Sequence, residues 1–292
     1  MHLIQSPAKQ GYVWFRQGLW LFKRNPMGFL MLIFLYLLVV QLSMLIPIVG
    51  VVVVLTLAPG IFAGLMDGCR DTILGERVRP LTLVSAFRKH GGQAARRLLD
   101  LGLLHTTLVM VLSLVATSLI DVQALVPMVL QQQEPTIEGI RQLYFALGVG
   151  LVLYTPVVML IWFSPLLIIW EGIPPGKALF FSWIACWRNR GAFLAYLSIW
   201  AVCLIALPLF IESLLQALDV SDVGSLVLIP YTVVMTAIMY CSVYASWKSC
   251  FQEAVADHVE DADGVVNQVD AASGPGGQGG GDQDPPAPPG AG

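Results

Sequence analysis

Residues 27–66 hold no charged side chain. About twenty apolar residues cross a bilayer as a helix, so this run alone predicts two crossings. Their turn is expected at Ile46-Pro47-Ile48-Val49-Gly50, where Pro breaks a helix and Gly permits reversal. Further uncharged runs follow at 101–120, 143–170, 191–211 and 223–245. The run at 143–170 is long and contains Pro156 and Pro165, which predicts a tilted or kinked span. None of these runs alternates in polarity as a membrane-spanning strand would. The fold class is therefore all-α: a polytopic membrane protein with six transmembrane helices, about 27–46, 48–66, 101–120, 143–170, 191–211 and 223–245. Composition agrees, since only 12% of the residues are charged against about 25% in soluble domains, and the mean hydropathy is +0.74.

The net charge of −3 averages two unlike pieces. All sixteen Lys and Arg lie at or before Lys248, whereas 253–292 carries eight acids and no base. That segment is also rich in Gly and Pro and lacks the apolar content to offset ordering entropy, so a disordered cytoplasmic tail is expected. It is either an inert solubilising tail or one that docks on the basic 67–100 loop. The segments 1–26, 67–100, 171–190 and the end of the last span share fifteen bases, and the alternate loops hold only Arg141. Under the positive-inside rule both termini are expected in the cytoplasm of a bacterial inner membrane. The first apolar run is too long for a cleavable signal core of about 7–15 residues and reads as an anchor. No cysteine falls in an external loop, so no disulfide is expected.

Three basic-side segments end alike: Phe22-Lys23-Arg24-Asn25-Pro26, Phe87-Arg88-Lys89-His90-Gly91 and Trp187-Arg188-Asn189-Arg190-Gly191. Each is an aromatic, a pair or near-pair of bases and a helix breaker, and each closes a short helical pattern. In the first, Tyr12, Phe15, Leu19 and Phe22 share a face; in the second, Pro80, Leu83, Val84 and Phe87 do. The reading is an interfacial amphipathic helix before each of three hairpins, its aromatics at headgroup depth and its bases on anionic lipid. The expected lipid-headgroup residues are Trp14, Arg16, Lys23, Arg24, Phe87, Arg88, Lys89, Trp187, Arg188 and Arg190.

A resemblance enters on these residues. Pro7-Ala8-x-x-Gly11-x-x-Trp14-Phe15-x-x-Gly18, then Phe22-x-Arg24-x-Pro26, and Ala178-Leu179-x-x-Ser182 through Arg188-Asn189 resemble an uncharacterised family of bacterial inner-membrane proteins. The plan is distantly similar to the membrane domain that precedes the catalytic barrel of some glycerophosphodiester phosphodiesterases. The resemblance covers 5–250 and implies architecture alone, because that family has no assigned activity. No barrel is expected here, since the forty-residue tail is too short to hold one.

Catalytic chemistry is sparse. Gly172-Ile173-Pro174-Pro175-Gly176-Lys177 has the wrong spacing for a phosphate-binding loop, and its prolines remove donors, so it reads as a turn. His2, His90, His105 and His258 are dispersed, and no Cys or His pair has zinc spacing. No cofactor, metal or catalytic residue is expected. Ionisable side chains within spans are functional hypotheses by default. Here they are Asp100, an ion-pair partner for Arg96 or Arg97; His105, a proton-relay member or a hydrogen bond to a neighbouring helix; and Glu212, which closes the fifth span and reads as solvated at the outer surface. Gly60, Gly64 and Gly68 form a strip for close helix packing. Rows of Thr and Ser (Gly102, Thr106, Ser113, Thr117; Thr232, Thr236, Tyr240) could line a path or make helix contacts. The expectation is a non-enzymatic scaffold or accessory component, with membrane lipids as partners, a homo-oligomer or membrane-protein partner as an option, and no nucleic acid. The alternative is a permease or channel subunit for a neutral or amphiphilic solute.

Overall fold

The computed structural model describes residues 5–46, 48–119, 121, 137–218 and 224–251. Pro47, most of the 121–142 loop and the acidic tail with its expected disorder and docking lie outside them. Every regular element among the described residues is helical. In chain order these are α1 (Gln10–Arg24), α2 (Pro26–Ser43), α3 (Val49–Ile73), a 3₁₀ turn (Pro80–Val84) leading into α4 (Ser85–Arg88), and α5 (Gly91–Leu119). Then come α6 (Ile137–Ile161), α7 (Ser164–Glu171), α8 (Pro175–Arg188), α9 (Arg190–Ala201), a wide π turn (Val202–Ala206), α10 (Leu207–Ala217) and α11 (Gly224–Phe251).

Among the described residues six stretches are long and apolar enough to cross a membrane: α2, α3, α5, α6 with α7, α9 through α10, and α11. The predicted spans are all present, with shifted ends. Helix α3 continues past 66 to Ile73, and α5 begins at Gly91, ahead of Arg96, Arg97 and Asp100. Backbone hydrogen bonding does not stop where side chains become charged, so a charge-free run marks the oily middle of a helix and not its ends.

The long fourth run is broken. Helix α6 stops at Ile161, and α7 restarts at Ser164 with Pro165 in its first turn, where a missing N–H costs nothing. Ser182 of α8 fills the gap: its hydroxyl donates to the Met159 carbonyl (2.8 Å) and accepts from the Phe163 N–H (3.0 Å). A second defect lies between α9 and α10. The wide turn precedes Pro208, whose missing N–H cannot satisfy a carbonyl one turn back. The Tyr231 hydroxyl of α11 donates to the Cys203 carbonyl there (2.5 Å).

Each hairpin is preceded by a short helix, as the repeat predicts, and the short helices dock by one rule. The 3₁₀ turn with α4 packs on α3, the second span of the preceding hairpin; α8 packs on α6, likewise. Helix α1 has no preceding hairpin and packs on α11, the last span, and on α9. The three docks therefore close head to tail.

This corrects the expected face of α1. Its buried residues are Gly11, Trp14, Gly18 and Leu21. Gly11 lies against the Ala192 carbonyl and Gly18 against the Ser242 backbone, approaches that leave no room for a side chain. Between them Trp14 is 0% exposed and meets Phe193 and Tyr196 edge-on, with ring centroids 5.2 and 5.9 Å away. Trp14 is a core residue and not a headgroup contact.

Candidate functional site

The most concentrated polar structure sits at the charged end of α3. Asp67 is 4% exposed, and a buried carboxylate must be matched by donors. Its Oδ2 accepts from the Ser85 hydroxyl (2.5 Å) and from His90 Nε2 (3.0 Å), and its Oδ1 accepts from the Trp170 indole N–H (3.1 Å). The three donors come from α4, the α4–α5 link and α7, so one carboxylate ties both segments to α3. One turn further on, Asp71 receives Lys89 at 3.4 Å. The glycine strip makes this approach possible. Gly60 faces the Phe87 ring and Gly64 the carbonyls of Thr82 and Leu83, while Gly68 meets Leu32, Thr82 and Val78. The expected close packing is present, but its main partner is the 78–87 segment and not a parallel span.

Trp170 serves two structures at once. Its N–H is held by Asp67, and its ring forms a wall of a cleft of about 280 Å³ together with Arg70, Glu171, Tyr244, Trp247 and Lys248. Arg70 lies over the Trp170 ring at 5.9 Å and Lys248 over Tyr244 at 5.4 Å. The aromatic walls brace one another: Trp170 meets Tyr244 at 6.0 Å and Trp247 at 5.5 Å. Among the described residues neither Arg70 nor Lys248 has a carboxylate within ion-pair distance.

The remaining predicted residues divide. Arg16, Lys23, Arg24, Arg88, Lys89, Trp187, Arg188 and Arg190 are exposed. Arg24 stacks over the exposed Trp20 at 3.9 Å and Arg190 over Trp187 at 5.7 Å. Phe87 is a correction: its ring is half-buried in the Gly60 notch, because the glycine leaves a slot that only an aromatic from the docked turn fills. Asp100 is a second correction, being exposed with no ion pair among the described residues; Arg97 instead donates to the Gly172 carbonyl (2.6 Å). Gly172 ends α7 in the left-handed conformation (φ 65°), consistent with the turn read there.

His105 bridges three helices. Pro59 inside α3 has no N–H for the Leu55 carbonyl one turn before it. His105 of α5 donates from Nδ1 to that carbonyl (3.3 Å), which leaves Nε2 to accept from the Tyr154 hydroxyl of α6 at 3.5 Å. It repairs a proline defect, as Tyr231 does near Pro208. The hydroxyl rows make helix contacts at one end, where Gly102 lies against the Thr56 carbonyl and Thr106 meets the Thr56 hydroxyl at 3.0 Å; Thr117, Thr232 and Thr236 donate to carbonyls of their own helix, and Ser113, Thr117 and Thr232 face outward.

Sequence reasoning missed Asp67 and the cleft. The available signal was Asp67 and Asp71 one turn apart, just past the charge-free run and followed by Lys89-His90.

Among known proteins the chain is 41% identical over 255 residues to a "Probable inner membrane protein" of Burkholderia thailandensis, covering 86% of this chain and 94% of that one. Nothing in that match links the chain to glycerophosphodiester phosphodiesterases. No protein-family profile matches the chain, and no solved structure matches it.

Proposed function

The chain belongs to the family of that Burkholderia inner membrane protein, and on this premise we propose that it is a non-enzymatic accessory or scaffold component that holds lipid headgroups at the cytoplasmic face. The orientation rests on the fifteen-to-one bias of bases between alternate loops. The observation that carries the reading is the row of exposed bases at the ends of α1, α4 and α8, with Arg24 and Arg190 lying over outward aromatic rings. Such pairs suit the boundary between acyl chains and anionic headgroups, where an aromatic ring is half-wet and a base meets phosphate.

The permease alternative draws less support. Its threonine hydroxyls are taken up by carbonyls of their own helices or, at Thr106, also by Thr56 of α3, and a groove of about 490 Å³ at Leu119, Tyr144, Phe145, Gly148, Val149, Val152 and Leu153 is apolar. Two measurements test the choice. Lipid that co-purifies with the protein should be enriched in anionic species, and less so for Arg24→Gln/Arg188→Gln/Arg190→Gln. Uptake of small neutral solutes by proteoliposomes should match empty vesicles; robust uptake would overturn the scaffold reading.

A further inference from the structure

We propose that the cleft between α3, α7 and α11 is a binding site for a phosphate-bearing ligand, held by Arg70 and Lys248. This deepens the headgroup reading above and rests on it, turning a diffuse basic surface into one defined pocket. The cleft holds two cations and a single carboxylate, Glu171, and among the described residues neither cation is paired with an acid. An anion entering it therefore displaces no ion pair. A guanidinium presents parallel donors that match phosphate oxygens, and an ammonium adds a compact charge.

The walls are fixed in advance. Both cations are laid over rings, Arg70 on Trp170 and Lys248 on Tyr244, and Trp170 is pinned by the buried Asp67. Little ordering remains to be done when ligand arrives, which favours affinity. Asp67 is thus a positioning residue for the site. The cleft also lies where α3 and α11 emerge from their apolar stretches. A phosphate there can belong to a lipid, with acyl chains running down the apolar helix faces, or to a soluble phosphate.

The test uses the full chain in detergent, with thermal unfolding followed against added dioctanoyl phosphatidylglycerol, phosphate-free dioctanoylglycerol, glycerol 1-phosphate and inorganic phosphate. The midpoint should rise with a phosphate-bearing probe and not with dioctanoylglycerol. Arg70→Gln/Lys248→Gln should weaken that response by about tenfold or more, the scale of a lost charge-assisted hydrogen bond. The part of the response that depends on Arg70 and Lys248 should survive in Lys23→Gln/Arg24→Gln/Arg188→Gln, which weakens only the wider headgroup surface. A cleft-dependent response to phosphatidylglycerol alone identifies a lipid source; the same dependence with the soluble phosphates identifies a soluble one. Should the double variant fold poorly, Glu171→Gln raises the cleft's net positive charge from the exposed rim and should tighten binding; unchanged or weaker binding would overturn the proposal. A response kept in Arg70→Gln/Lys248→Gln and lost in the surface variant would overturn it while leaving the wider headgroup reading standing. No response to any phosphate-bearing probe would also overturn it, and co-purified lipid then decides the wider reading separately.

Discussion

At the scale of single residues, this protein is organised around prolines and the side chains that repair them. Pro59 frees the Leu55 carbonyl and His105 takes it; the wide turn before Pro208 leaves the Cys203 carbonyl to Tyr231. In a membrane no water can substitute, so an unfilled carbonyl there is costly. Replacing His105 with Ala should lower stability by about 0.5–2 kcal/mol, the range for hydrogen bonds between membrane helices. In a Pro59→Ala background the loss should shrink, because the restored backbone N–H can donate to the Leu55 carbonyl. Equal losses in the two backgrounds, read from unfolding in detergent, would show that His105 does something else. Asp67 carries a larger load. Asp67→Ala leaves three buried or part-buried donors without their acceptor, at about 1–3 kcal/mol for each one that stays dry. Limited proteolysis should then cut within 78–90 faster than in the native protein. Uniform resistance would mean the turn is held by its apolar contacts alone.

At the scale of elements, the short helices matter most, and here the sequence was half legible. Their number and places follow from the aromatic–base–breaker pattern, but their buried faces do not. Helix α1 carries Tyr12, Trp14, Phe15, Trp20 and Phe22 on nearly every side, so aromatic content cannot say which side is inward. Gly11 and Gly18 can: two glycines on one face flanking a Trp mark where other backbones approach. The same logic explains Phe87, whose slot is set by Gly60 on a different helix. The break of the fourth run was foreshadowed by Pro165, yet its site at Trp162-Phe163 depends on Ser182 arriving from α8, a tertiary fact. Gly18→Val should push α1 off α11, costing about 1–3 kcal/mol as overpacking does, whereas Tyr12→Val on the exposed side should be neutral. Similar melting of the two variants would put α1 on the lipid surface after all.

At the scale of the whole molecule, the crossings and the charge bias were readable because each is a sum over many residues. Six oily runs and a fifteen-to-one distribution of bases survive errors of several residues at any boundary. The cleft was not readable, since Arg70, Trp170, Tyr244 and Lys248 come from three helices and meet only after the short segments dock. What the arrangement builds is a bundle whose hairpins are latched to one another at a single end, and that end carries both the exposed bases and the cleft. Everything functional in this account places that end against the cytoplasmic leaflet. Cysteine accessibility measures this most directly: with the five native cysteines replaced, Glu76→Cys and Asp219→Cys are treated with a membrane-impermeant maleimide in intact spheroplasts. Asp219→Cys should label at once and Glu76→Cys only after the membrane is opened. Immediate labelling at Glu76→Cys, or both positions reacting from the same side, would contradict the account.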